Sequence, residues 1–316
     1  MKRRSSFQLV IDQNQNIRAN NLELSELCEL FEDCFEQEQN IQRTYITSRN
    51  CKNIDEINED IKLILNYYNS CEICFRKCKV DRNNNKLGWC NLSSENNVYM
   101  TNIINDEENL ISPTYAIYLS SCNIKCEYCH QKRFMKPDSR EYISLSHIIE
   151  DVSDNLNRIK TVSFIGGNPD LSILTILKII TMLYKNKIDL PLVLNSNFLF
   201  TEKLYPLVDQ YFNVLIPDFK FWYDKCSRTL CGLTDYKKIV LQNILYFMNK
   251  KDMIIRHLPL DDHWNCCSRP IIDWLAEHIL NNELCSLSFL DLLQSDNSYS
   301  IKKCKKYANS FNLNLI

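Results

Sequence analysis

The chain has 316 residues, 37 Lys and Arg against 39 Asp and Glu, and a net charge of -2. That length buries a real core, as one large domain with an appendage or as two modest ones, and the charge balance gives no electrostatic case for nucleic acid. Sixteen cysteines in a chain this long, opening Met-Lys-Arg-Arg with no apolar signal-like run behind it, imply reduced cytoplasmic thiols serving as metal ligands, core residues or reactive groups rather than a disulfide scaffold.

In chain order, residues 1–19 are polar and offer at most a short edge strand. Leu27, Cys28, Phe31, Cys34 and Phe35 recur at helical spacing with acidic residues outside the stripe, which predicts an amphipathic helix over 24–35. Ile54, Ile57, Ile61, Ile64, Leu65 and Tyr68 predict a second, with Asp55 and Glu56 in its first turn. These helices make residues 1–66 a helical extension.

Residues 67–95 carry Cys71, Cys74, Cys78 and Cys90, spaced C-x2-C-x3-C-x11-C. Four thiols within twenty residues can close a metal site alone. A structural zinc and an iron-sulfur cluster both suit them; the unequal steps differ from the paired knuckles of a zinc ribbon and favour the cluster.

From residue 112 strands and helices alternate, the signature of a parallel sheet with crossover helices. Strands are predicted at 116–120, 161–165, 192–195, 214–219, 253–258 and 284–290. Helices are predicted at 145–159, 172–186, 202–212, 236–250, 271–281 and 301–311. Residues 112–316 thus form an α/β domain, a partial (β/α)6 TIM-type barrel in which chemistry gathers at the C-terminal strand ends. The most apolar helical run, 171–184, is too short to span a membrane and carries Lys178.

The first predicted strand runs directly into Cys122-Asn-Ile-Lys-Cys126-Glu-Tyr-Cys129. A loop of that spacing gathers three soft thiolates toward one point, which suits an iron-sulfur cluster. Three ligands are one short of the four irons in a 4Fe-4S cluster, so one iron stays open to a small molecule. Cys126 to His130 also reads as C-x-x-C-H, a haem-attachment signature, and C-x-x-C alone as a thiol redox pair. The haem reading leaves Cys122 unexplained.

The spacing, with Tyr128 just before the third cysteine, resembles the defining loop of the radical S-adenosylmethionine (radical SAM) superfamily. That resemblance implies a SAM molecule on the open iron, cleaved reductively to a 5'-deoxyadenosyl radical that abstracts a hydrogen atom. It also implies a reductant such as flavodoxin or ferredoxin.

Only four glycines occur, so each marks a demanding backbone position. Gly166-Gly167-Asn168-Pro169, after the second strand, resembles the segment that holds the methionyl amine in that superfamily. The third strand ends Asn195-Ser196 and the fourth Asp218-Phe-Lys220. By resemblance to glycyl radical enzyme activases, Asn195, Ser196 and Asp218 would line a monovalent-cation site and Lys220 would face cofactor or substrate; without it, Asp218 and Lys220 read as an ion pair inside the barrel. Arg256 and His257 sit near the end of the fifth strand, where an Arg-His pair is rare in a merely structural strand because buried cations need partners, and they read as cofactor-site residues at the barrel mouth. Cys71 to Cys90, residues 216–223 and 255–259 together resemble the pyruvate formate-lyase activating enzyme-like (PflX-like) branch.

Cys226, Cys231, His263, Cys266 and Cys267 lie in two strand-end loops; a metal or thiol role is open to them, but in so cysteine-rich a sequence they read as passive loop residues, and Cys285 and Cys304 as core. The expected function is hydrogen-atom abstraction from a peptide, protein or small metabolite. Its alternatives are a glycyl radical enzyme activase and an iron-sulfur or zinc interaction module without SAM chemistry.

Overall fold

The computed structural model describes residues 53–129, 131–132, 142–290 and 299–316, with the backbone of Val10–Ile11 and Ile17–Arg18. The expected helix over 24–35 and His130 lie outside the described residues. The chain divides into two units, Met1–Ser48 and Arg49–Ile316. In the first, β1 (Val10–Ile11) pairs antiparallel with β2 (Ile17–Arg18).

In the second unit one seven-stranded sheet keeps the order of the chain: β3 (Val98–Ile104), β4 (Thr114–Leu119), β5 (Thr161–Gly166), β6 (Leu192–Ser196), β7 (Val214–Pro217), β8 (Asp252–His257) and β9 (Cys285–Phe289). β4 to β9 are all parallel and match the six expected strands. β3 is an antiparallel edge strand that the sequence hides, because its residues are mostly half-buried and show no two-residue alternation. The described pairings leave the sheet open rather than closed, as in a partial barrel.

The helices are α1 (Ile54–Tyr68), α2 (Leu145–Asp154), α3 (Ile173–Lys185), α4 (Tyr205–Tyr211), α5 (Asp224–Cys231), α6 (Tyr236–Phe247), α7 (Arg269–Ile279) and α8 (Tyr299–Asn309). α1 begins at a capping box: Asn53 accepts from the Glu56 amide and Glu56 accepts in return from the Asn53 amide. It buries Ile57, Ile64 and Tyr68 and packs on α3. α5 was expected to be loop; Asp-Lys-Cys-Ser-Arg-Thr-Leu-Cys lacks the apolar stripe by which a helix is normally read. No described helix is long and apolar enough to cross a membrane.

Strand alternation sorts the sheet residues into two faces. Val162, Phe164, Leu192, Leu194, Leu215, Met253, Ile255 and Leu287 join the large core with the helices. Val193, Val214, Ile216 and Ile254 point the other way and pack under Leu110 and Ile111. Arg256 shares that second face with Ile254, whereas His257 shares the helix face with Ile255.

Candidate metal centre at the strand ends

Residues at or following the ends of all six parallel strands line one cleft: Cys122, Cys126 and Cys129 after β4, Gly166 and Gly167 at β5, Asn197 after β6, Asp218 and Lys220 after β7, Leu258 after β8 and Leu290 after β9. In a flat sheet the first and sixth of these strands would lie about 24 Å apart at a spacing of roughly 4.8 Å. The strand-end segments therefore converge over the sheet.

The cysteine loop is held through its backbone. Lys125 and Glu127 donate their amides to the Cys231 and Leu230 carbonyls at 3.3 and 3.0 Å, which satisfies the C-terminal turn of α5. Gly167 and Asn168 donate to the Leu119 and Ser121 carbonyls at 2.8 and 2.7 Å. A Cβ on Gly166, whose φ is +112°, would sit 2.5 Å from the Leu119 oxygen, and one on Gly167 would sit 1.8 Å from the Ser121 oxygen. The sequence reading set these glycines against a ligand; the backbone they admit is that of the cysteine loop, and their outer edge lines the cleft.

Electrostatics distinguish the three thiols. The Cys122 sulfur accepts from Asn197 Nδ2 at 3.3 Å, and burial pushes its pKa up to about 12. Cys126 is drawn down to about 7 by the Cys231 thiol beside it, against the cost of burial and with help from the Lys220 ammonium. Burial raises Cys129. Burial also works against the Lys220 ammonium, but Asp218 at 2.6 Å and the Cys126 sulfur outweigh it and hold the lysine above its ordinary value. Lys220 thus sits in the ion pair read from sequence, with a further bond to Asn197 Oδ1.

Tyr128 lines the cleft with its ring edge-on to Phe221 at 6.1 Å. Asn168 and Pro169 are buried beneath it. The Asn168 side chain donates to Asn123 Oδ1 and Asp170 Oδ2 and accepts from the Asn197 amide, so it ties three strand ends together. Asn195 is half-buried on β6 and does not line the cleft. Ser196 turns to the helix face, where its hydroxyl accepts from the Phe198 amide at 3.1 Å. Arg256 makes a bidentate buried ion pair with Glu108 at 2.7 and 2.8 Å. His257 is fully buried between the Phe219 carbonyl at 2.7 Å and Ser268 Oγ at 2.9 Å. Neither residue of the Arg-His pair reaches the cleft. Ile124, Gln131, Asn197, Leu258 and Leu290 do, and none carried a distinct signal in sequence.

The Cys71–Cys90 segment abuts this centre. The Ser121 hydroxyl donates to the Cys90 carbonyl, and Arg76 Nε donates to the Asn123 carbonyl at 3.0 Å while its guanidinium stacks on Trp89 at 3.7 Å. Cys71, Cys74 and Cys90 are buried and Cys78 is half-buried. Burial lifts the Cys71 and Cys90 thiols and pushes Cys74 up to about 12. A Cβ on Gly88 would lie 3.2 Å from the Cys78 sulfur and 3.5 Å from that of Cys90, so the missing side chain leaves room where two thiols approach.

Residues 114–221, from β4 through the Lys220 segment, match the family described as a 4Fe-4S single cluster domain. Over 275 residues the chain is 27% identical to the uncharacterized protein MJ0674 of Methanocaldococcus jannaschii, covering 81% of this chain and 79% of that one. Among solved structures it is similar to Streptococcus suis SuiB bound to precursor peptide SuiA, with a TM-score of 0.46, 14% identity, and coverage of 61% of this chain and 46% of SuiB. It is also similar to QueE from Escherichia coli, with a TM-score of 0.41, 13% identity, and coverage of 69% of this chain and 91% of QueE. The chain spans under half of SuiB's length.

Proposed function

We propose that this chain is a radical SAM enzyme acting on a peptide, protein or small metabolite. The observation that carries this reading is the single cleft at the ends of all six parallel strands, lined by Cys122, Cys126 and Cys129 within the segment that matches a 4Fe-4S domain. The donor set fits a 4Fe-4S cluster with one open iron: three soft sulfurs line one space. A bound cluster and SAM supply one-electron cleavage of the sulfonium and, through it, hydrogen-atom abstraction.

The chain's own residues position these groups and keep water out. Asn197 donates to the Cys122 sulfur, a bond of the kind that tunes cluster potential. Lys220 places positive charge beside Cys126, and the wall at Ile124, Tyr128, Leu258 and Leu290 is largely apolar. Cys71, Cys74, Cys78 and Cys90 would hold a second metal group, which we read as an iron-sulfur cluster; the contacts of Ser121 with Cys90 and of Arg76 with Asn123 join its segment to the cysteine loop, which supports a role in relaying electrons or holding substrate. A monovalent cation is left out of the proposal, because Asp218 is ion-paired with Lys220 and Ser196 faces the helices.

Iron and sulfide counts after anaerobic reconstitution test the two centres. The full chain should hold about eight irons, and a variant with Cys122, Cys126 and Cys129 all changed to Ala about four. Undiminished iron in that variant contradicts the assignment, and zinc in place of its residual iron contradicts the second cluster.

A further inference from the structure

Cys226 lies in the first turn of α5, after β7. His263, Cys266 and Cys267 lie after β8, at the π-helical turn Trp264–Ser268 and the residue before it. From sequence these four read as passive loop residues, with a metal or thiol role as the alternative. The structure brings three sulfurs and a histidine ring nitrogen to within 4.8 Å of one another. Cys266 Sγ is 3.3 Å from His263 Nδ1, and the Cys226 sulfur lies within 4.8 Å of those of both Cys266 and Cys267.

His263, Cys266 and Cys267 are spaced i, i+3 and i+4, which puts them on one side of a helical turn. The amides of Cys267 and Ser268 both donate to the His263 carbonyl, at 2.8 and 3.2 Å, and hold that turn. The turn is fixed from beneath, since Ser268 Oγ bonds His257, which bonds the Phe219 carbonyl at the root of the loop that carries Cys226. Cys226 and Cys267 are buried, while His263 and Cys266 are half-buried. Cys226 and Cys266 also border an open cleft with Trp222, Asp224 and Lys237, which gives an ion a path in.

We propose that Cys226, His263, Cys266 and Cys267 form a tetrahedral Cys3His site for a structural zinc ion, separate from the strand-end cleft. Zinc takes this donor set in closed four-coordinate sites. Bond lengths of about 2.3 Å to sulfur and 2.0–2.1 Å to nitrogen place the tetrahedral donors of a Cys3His site roughly 3.5–3.8 Å apart, so small side-chain rotations bring the observed group into that geometry. An iron-sulfur cubane binds each ligand to a different iron and needs a wider spread.

The ion would clamp α5 to the β8 loop. The far end of α5 receives the Lys125 and Glu127 amides of the cysteine loop, so the same helix would carry a zinc site at its start and brace the cluster loop at its end. This role does not depend on the radical SAM reading.

Elemental analysis of the full chain, expressed with zinc supplied, tests the site. The Cys226→Ser/Cys267→Ser variant should hold about one zinc fewer per chain than its parent, whereas the variant lacking the three loop cysteines should keep it. Taking the difference between parent and variant removes any zinc held at Cys71–Cys90. Cobalt(II) loaded in its place should show the intense visible bands of a tetrahedral thiolate site, and these should disappear in the double variant. Should that variant fold poorly, alkylation of the unaltered chain reads the same point: the half-buried Cys266 should react with iodoacetamide only after a chelator is added. Equal zinc in a folded double variant, labelling without chelator in zinc-replete protein, or a Cys226–Cys266 disulfide would overturn the proposal. None of these results bears on iron content or SAM cleavage, which test the other centre.

Discussion

The Lys220 ammonium sits 2.6 Å from the Asp218 carboxylate and is bonded on its other side to Asn197, whose amide nitrogen reaches the Cys122 sulfur. A carboxylate, an ammonium, an amide and the Cys122 thiol thus form one chain. Lys220→Met would leave Asp218 unpaired in a mostly buried place, at a cost of about 3 kcal/mol or more. Denaturant unfolding of the metal-free chain measures that loss. The double variant Asp218→Asn/Lys220→Met should recover part of the stability without recovering SAM cleavage, which separates support of the fold from support of the site.

The glycine pair makes a second test. Gly167→Ala would drive a methyl group into the Ser121 carbonyl and push the cysteine loop away from β5. We expect a loss of several kcal/mol and a marked fall in iron bound at the loop. Gly232→Ala is the control: its φ is +70°, but its Cβ would meet nothing within 4 Å, so the cost should be only about 1 kcal/mol, with iron content unchanged. Thermal melts alongside iron analysis distinguish the two outcomes.

His257 makes the fold acid-sensitive. Burial lowers its pKa from 6.5 to about 4, with the Phe219 carbonyl opposing the shift. Between those values the unfolded chain holds the extra proton, so the histidine's contribution is complete above about pH 6.5 and drains away as pH falls toward 4. The full effect is about 3 kcal/mol. Unfolding free energy should drop across this window, and His257→Gln should flatten the drop while lowering stability at neutral pH.

What the sequence could and could not show follows from the range of each interaction. The six parallel strands stand out because runs such as Leu192 to Ser196 are apolar and local. Cys122, Cys126 and Cys129 stand out because their spacing is itself the chemistry. Arg256 and His257 looked functional because a charged pair near a strand end wants partners, but those partners, Glu108 and Ser268, come from other segments and only the fold supplies them. Ser196 was misplaced by one step of strand alternation. The Cys226 and His263 loops carried no joint signal, since their meeting depends on β7 and β8 being neighbours.

The most direct test of the central claim is an anaerobic assay for 5'-deoxyadenosine, using chain reconstituted with iron and sulfide, then supplied with dithionite and SAM. The account predicts deoxyadenosine from the unaltered chain and none from Cys126→Ala. Turnover in that variant equal to the parent's, or failure of the reconstituted chain to bind SAM, would contradict it.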